Sequence, residues 1–240
     1  MALVKTPAEI AILKRAAKAT QTVFANALPY ICAGATEREI AGLMEALALN
    51  IKGVSGLAFT PIIASGPNGA QPHAEITDRS LEQGDLVTVD FGVMLGGYAS
   101  DMTRTFLLGK VTEEKRRIYD SVKRSQAAGL AAAKAGMACA ELDAVCRDII
   151  KKDGFGEFFI HTTGHGIGTE VHEDPRLGNN SEAFLEAGMV VTIEPGIYIE
   201  GFGGVRIEDT VVITETGCEV ITPAVPKNRV PISQLIRLTQ

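Results

Sequence analysis

Apolar positions recur at helical spacing in four stretches of the chain, and as short continuous or alternating runs between them. Thr6-Pro7-Ala8-Glu9 is a capping box with proline at the first helical position, and it predicts a helix to about Leu28, where Pro29 stops it. Thr36-Glu37-Arg38-Glu39 is a second capping box and opens a helix to about Asn50. Two more helices are expected from about Glu113 to Lys134 and from about Ala140 to Lys152, with Gly136 and Gly154 bounding the latter. Strand-like runs cover Leu57–Ala64, Leu86–Val93, Tyr98–Leu108, Met189–Ile199 and Gly204–Thr214.

The pattern repeats. Leu81-Glu82-Gln83-Gly84-Asp85-Leu86-Val87-Thr88-Val89-Asp90-Phe91-Gly92 matches Leu185-Glu186-Ala187-Gly188-Met189-Val190-Val191-Thr192-Ile193-Glu194-Pro195-Gly196 at an offset of 104. Ala33-Gly34 and Ala135-Gly136 lie 102 apart, and His73-Ala74-Glu75 and His172-Glu173-Asp174 lie 99 apart, in the same order. Each half reads as helix, helix, glycine-rich stretch and hairpin. No low-complexity linker divides them, so the expectation is one α+β domain over residues 1–240, with pseudo-symmetric halves of about 1–110 and 111–225 and helices outside a curved antiparallel sheet.

The hairpins carry the first chemical signal. If the first turn centres between Leu95 and Gly96, Asp90 faces Asp101; if the second centres on Gly201, Glu194 faces Glu208. Facing like charges cost roughly 0.2–1 kcal/mol on a wet sheet, and more when buried. The apolar neighbours Val87, Val89, Phe91, Ile193 and Ile207 predict burial. Four buried carboxylates need shared protons or a cation, and two divalent ions balance them. The other reading, acids solvated on polar strand faces, fits any one of them but not four at matched places.

Three of the four histidines fall in one segment, His161-Thr162-Thr163-Gly164-His165-Gly166-Ile167-Gly168-Thr169-Glu170-Val171-His172-Glu173, and the fourth, His73, follows the glycine-rich Ser65–Pro72. His161 and His165 are four apart, but the glycines make a helix poor there and predict close backbone approach to a ligand or metal instead. Both histidine segments precede an acid-bearing hairpin, so one shared site is expected.

Composition narrows the classes. Hydrophobic residues are 46% of the 240 and the formal net charge is −6, which argues against nucleic acid as the main partner. The start lacks the features of a secretory signal, and no apolar run approaches the ~20 residues that span a bilayer. Cys32, Cys139, Cys146 and Cys218 form no C-x-x-C pair and read as buried thiols of a reducing compartment, so a cytoplasmic location away from membranes is expected.

Taken together, Pro72-His73, Gly84–Gly92, Gly97–Phe106, Gly164–Gly168 with Val171-His172-Glu173, Thr192–Tyr198 and Gly203–Thr210 resemble the catalytic domain of Xaa-Pro aminopeptidases and Xaa-Pro dipeptidases (prolidases). The likeness runs from Lys5 to about Pro223. It implies the pseudo-symmetric "pita-bread" fold shared with creatinase and methionine aminopeptidase. It implies metal ligands at Asp90, Asp101, His165, Glu194 and Glu208, with Asp101 and Glu208 bridging two ions. It places His73, His161, His172 and Glu194 among the catalytic groups, and His73, His172 and Arg206 against substrate.

The resemblance further implies hydrolysis of the bond before a proline in the second position of a peptide, by a hydroxide held between the ions. One ion and His172 or His73 would stabilise the oxyanion, and Glu194 would pass a proton to the leaving nitrogen. Four carboxylates and one imidazole form a hard ligand set that suits manganese, with cobalt, iron and zinc as alternatives. Members of this type carry an extra amino-terminal domain, often used in dimer contacts, with no counterpart in this chain. A more open site is therefore expected, and a homodimer is only weakly implied. The rivals are methionine aminopeptidase, whose Cys-His-Gly setting Pro72-His73-Ala74-Glu75 lacks, and a binding module of the same fold, which would have lost metal ligands. The tail from Pro226 to Gln240 carries no legible chemistry and is left open as strand, partner contact or disordered segment.

Overall fold

The structure, a computed structural model, describes residues 3–223. The expected openings of the first two helices are both present: Thr6 Oγ1 accepts from the Glu9 amide while the Glu9 carboxylate takes the Thr6 amide at 2.7 Å, and Thr36 and Glu39 repeat this at 3.1 and 2.8 Å. The first half comprises α1 (Pro7–Ala27), α2 (Glu37–Leu49), β1 (Val54–Leu57), β2 (Ile62–Ser65), β3 (Leu86–Phe91), β4 (Val93–Leu95), β5 (Tyr98–Ala99) and β6 (Met102–Leu107). The second comprises α3 (Glu113–Ala132), α4 (Cys139–Lys152), β7 (Gly164–Gly166), β8 (Glu173–Leu177), β9 (Val190–Ile193), β10 (Gly196–Ile199), β11 (Gly203–Arg206), β12 (Asp209–Ile213) and β13 (Cys218–Val220). Helix ends lie within two residues of expectation. The tail from Pro226 to Gln240 lies outside the described residues.

The strands form four antiparallel groups: β1-β4-β5, β2-β3-β6, β10-β11 and β13-β12-β9-β7-β8. Each long run expected as one strand is divided. The run at 57–64 breaks between β1 and β2; three hairpin runs break at their acids, at Ser100-Asp101, at Glu194-Pro195 and at Ile207-Glu208, and the first breaks at Gly92, two residues past Asp90. At the breaks in the second hairpin the acids' amides leave the ladder: Glu194 donates to the Thr163 carbonyl (2.8 Å) and Glu208 to the Thr103 carbonyl (3.1 Å). Pro195 has no amide to continue the pairing.

One expected register is corrected. The first turn centres between Gly96 and Gly97, so Asp90 pairs with Thr103 and not with Asp101. A two-residue hairpin loop needs positive φ at both central positions. Gly96 (φ 62°) and Gly97 (φ 81°) meet that need, whereas a turn one residue earlier would force it on Leu95. The slip is two residues, so Asp101 stays on the same face as Asp90, displaced along the strand. The second register is as expected: Ile193 pairs with Asp209 and Gly196 with Arg206, so Glu194 and Glu208 oppose each other in the gap.

Helices α1 and α2 pack Val23, Phe24, Ile40 and Met44 on Val87, Val89, Phe91 and Met102, and α3 and α4 pack Ile118, Val122, Leu142 and Cys146 on Val191, Ile193 and Val211. A small seam cluster of Leu13, Ala17, Ala99, Ile167, Val190 and Val212 joins the halves. Of the cysteines expected to be buried, Cys139 and Cys146 are; Cys218 is half-buried, and Cys32, in the turn after α1, is exposed. No helix among the described residues is long and apolar enough to cross a membrane.

Polar bonds lock the hairpins of the two halves together. Arg104 on β6 pairs with Asp209 on β12 at 2.8 Å, with side chains 1% and 0% exposed. The guanidinium also donates to the carbonyls of Glu208, Thr103 and Thr222, and Gln126 and Thr222 donate to Asp209. Removing one partner of a buried pair strands the other charge. Arg104→Met is expected to lower unfolding free energy by about 3–5 kcal/mol in urea titration. A loss below about 1 kcal/mol, the surface-pair range, would show that the pair carries no such weight.

Candidate metal centre

The breaks in the two hairpins meet, and there Asp101, His165 and Glu208 each present a ligand atom within 4.8 Å of the others. Glu194 joins them, its Oε1 3.1 Å from His165 Nε2, and Asp101 Oδ2 lies 3.7 Å from the same nitrogen. Asp90 completes the set through Arg206, whose Nη2 donates to Asp90 Oδ2 at 2.6 Å. The five residues that the resemblance named as metal ligands therefore line one cleft of about 900 Å³, together with His73, His161, His172 and Arg206.

The donor set fits a cation. Asp90 Oδ1, Asp101 Oδ1 and Glu208 Oε1 are buried with no hydrogen-bond partner among the described residues, which is costly for carboxylates unless a cation or a proton meets them. His165 Nδ1 donates to the Gly166 carbonyl (2.9 Å), which leaves Nε2 facing the acids, the tautomer a metal-binding imidazole needs. Its amide is held by Thr192 Oγ1 (3.0 Å), which in turn donates to Glu194 Oε1 (2.9 Å).

The glycines around His165 serve packing. A Cβ on Gly164 would stand 2.0 Å from the Thr192 carbonyl oxygen, and one on Gly166 would stand 2.2 Å from that of Asp174. They let β7, a strand that the periodicity did not reveal, fit between β8 and β9.

Without a cation the electrostatics are strained. Burial, then the charges of Glu208, Asp90 and Glu194, holds the Asp101 carboxyl well above the usual carboxylate range. Burial, then Glu194 and Asp90, does the same to Glu208. Burial opposes charge on Glu194, but the hydrogen bond and charge of His165 outweigh it and bring its pKa down to about 2. Burial likewise opposes charge on His165, and Glu194 reverses the balance and raises it.

The remaining histidines differ. His161 Nδ1 lies 2.7 Å from the Thr162 carbonyl and Nε2 lies 2.9 Å from Tyr198 Oη, so both ring nitrogens are occupied, and burial pushes its pKa down. Tyr198 accepts from Arg206 Nη1 (2.7 Å), which makes a chain from His161 through Tyr198 and Arg206 to Asp90. Arg206 thus both lines the cleft, as the resemblance implied, and pairs with an acid. His172 is exposed, its ring 4.4 Å from that of His165, and burial followed by the His165 charge lowers its pKa. Glu173 beside it takes Lys5 Nζ (2.8 Å) and the amides of Thr169 and Glu170, closing the loop that ends at His172. His73 is exposed and lines the same cleft, and Arg206 Nη1 holds the neighbouring Pro72 carbonyl (3.1 Å). Sequence reasoning missed the parts played by Tyr198 and by Thr103, which donates to Glu208 Oε2 (2.7 Å) and accepts from Arg206 (3.2 Å). The only trace of them was their place inside the quoted motifs.

A cleft of clustered carboxylates and one imidazole on paired antiparallel hairpins defines a metal-dependent hydrolase class. The profile of metallopeptidase family M24 matches residues 11–215, and the chain belongs to that family. It is 46% identical over 220 residues to the Xaa-Pro dipeptidase of Pyrococcus furiosus, a match spanning 92% of this chain and 63% of that one. The Xaa-Pro dipeptidase from Bacillus anthracis superposes with a TM-score of 0.93 at 44% identity, covering 95% of this chain and 64% of the other. An X-Pro aminopeptidase from Thermotoga maritima superposes at 0.90 with 40% identity, covering 94% and 64%. The fold is the pita-bread fold of these proteins, and the chain spans a little under two thirds of their length.

The shifts predict how metal-free protein responds to pH. Asp101, Glu208 and His165 all bind protons more tightly folded than unfolded, so their contribution is present at low pH and lost as pH rises through their folded values. Above the ordinary histidine value of 6.5, the melting temperature of metal-stripped protein is expected to fall with rising pH, and added manganese to raise it by an increment that grows with pH. Melting curves with chelator and with manganese at several pH values check this; a manganese increment independent of pH would contradict it.

Proposed function

We propose that this chain is the catalytic part of a metal-dependent exopeptidase that removes the residue preceding a proline at the second position of a peptide. The reading rests on the three unpartnered carboxylate oxygens of Asp90, Asp101 and Glu208 around His165 in an open cleft. Residues 1–240 act as one domain of two pseudo-symmetric halves. Asp90, Asp101, His165, Glu194 and Glu208 would hold two divalent ions, manganese first, since hard oxygen donors outnumber nitrogen four to one. Bound there, such ions supply Lewis-acid polarisation of the scissile carbonyl and make water acidic near neutral pH.

The chain's own groups do the rest. Glu194, its Oε1 beside His165 at the cluster, can accept a proton from the attacking water and return it to the proline nitrogen. That nitrogen belongs to a tertiary amide and leaves only when protonated. His172 can donate to the developing oxyanion, with His73, which lines the same cleft, orienting the substrate. His161, already held at both nitrogens, acts by fixing Tyr198 and through it Arg206 and Asp90. Phe59, Pro61, Ile62, Ile76 and Val171 give the cleft an apolar wall suited to a proline ring.

Metal-stripped protein is expected to release the first residue from a Xaa-Pro dipeptide and a Xaa-Pro-Xaa tripeptide only after manganese is added, and His172→Ala to lower kcat about 10²–10⁴-fold. Cleavage confined to a Met-Ala-Xaa peptide would assign the methionine-aminopeptidase activity instead. No cleavage with any metal would leave peptide binding without hydrolysis as the function.

A further inference from the structure

Two carboxylates far from the metal cluster in sequence are fully buried, one on the second helix of each half: Glu37 on α2 and Asp143 on α4, both 0% exposed. Neither is a cleft-lining residue. Glu37 Oε1 accepts the Ser65 amide and hydroxyl, each at 2.7 Å, and Oε2 accepts Asn68 Nδ2 (2.9 Å), the Thr77 amide (3.0 Å) and the Thr77 hydroxyl (2.7 Å). One carboxylate therefore clamps both ends and the middle of the loop that carries His73. The loop's other side lies on β11: a Cβ on Gly204 would stand 2.2 Å from the Gly69 carbonyl oxygen, so the backbones touch there.

Asp143 does the matching task in the second half. Its Oδ1 accepts the Thr163 amide (3.1 Å) and hydroxyl (2.8 Å), and it pairs with both faces of the Arg147 fork at 2.8 and 2.9 Å. Arg147 then holds the carbonyls of Phe159 and His161, each at 2.8 Å. The segment so gripped runs directly into His165.

We infer that Glu37 and Asp143 are positioning residues with divided roles: Glu37 sets the substrate-side histidine, His73, and Asp143 sets the metal-side histidine, His165. This rests on the function proposed above for its kinetic arm only. Buried carboxylates that accept four or five hydrogen bonds fix their donors in space, and replacing one by its amide turns an acceptor into a donor that faces donors. The loop then shifts, and the histidines on that segment should feel it while those on the other segment do not.

The test uses Glu37→Gln and Asp143→Asn in the full chain, each also combined with His73→Ala. The four histidines of metal-stripped, ¹³C-histidine-labelled protein are observed by NMR, manganese affinity is measured by calorimetry, and kcat and KM are measured on a Xaa-Pro peptide. Glu37→Gln is expected to move the His73 ring signal, to lower kcat/KM about 10- to 100-fold, and to leave manganese affinity within about twofold. In the His73→Ala background the same change should cost little further, as two residues acting as one unit do. Asp143→Asn is expected to move the His161 and His165 signals and weaken manganese binding about 10- to 100-fold, with turnover restored by excess metal. An unmoved His73 signal in Glu37→Gln, or equal losses of manganese affinity in both variants, overturns the inference. Should Glu37→Gln not fold, Thr77→Val, which removes one of the five bonds, gives the same reading of His73. If wild-type protein cleaves no Xaa-Pro peptide, the proposed function fails, while the NMR and calorimetric results still decide the division of roles.

Discussion

Four carboxylates held in one buried seam repel one another, and the architecture around them follows from that constraint. Burial and mutual charge push Asp101 and Glu208 toward their protonated forms, while Glu194 and His165 stabilise each other in their charged forms. Arg206 offsets part of the charge by pairing with Asp90. What stays unsatisfied is a set of carboxylate oxygens with no donor to meet them. A divalent cation answers that demand better than protons, because it neutralises several acids at once.

The backbone is arranged to make the seam. Each acid-bearing strand breaks at or within two residues of its acid, and in the second hairpin the freed amides of Glu194 and Glu208 bond to Thr163 and Thr103 instead of continuing their ladder. The hairpins of the two halves are thereby drawn edge to edge, and the Arg104–Asp209 pair and the threonine hydroxyls of β6 and β12 hold them there. A set of acids on two separate hairpins becomes one cluster only if those contacts form. The stability of the seam and the geometry of the metal centre are thus properties of the same bonds.

Outside the cluster the histidines divide by environment. His165 is buried with its Nε2 turned on the acids; His161 is half-buried and tied at both nitrogens; His73 and His172 are exposed and line the cleft. The same side chain is turned on a cluster of acids, tied at both nitrogens or left open to the cleft according to what surrounds it.

Much of this was legible in the chain. Capping boxes at Thr6 and Thr36 are local chemistry, so the helix starts followed from the sequence. The internal repeat and the confinement of four histidines to two glycine-rich segments showed that two hairpins share one site, because residue type and spacing alone carry that signal. The register of the first hairpin was misjudged by two residues, since only the φ requirement of the Gly96-Gly97 turn decides it. Strand β7 escaped notice because glycine has no side chain to show periodicity, and its place is set by Thr192 and Asp174, residues distant in sequence. The burial of Arg104, Asp209, Glu37 and Asp143 was equally illegible: a charged residue reads as solvated until the partners that enclose it are known. Residue chemistry is local and was written in the sequence; which charges lie beside which is a property of packing, and the tertiary structure alone decided it.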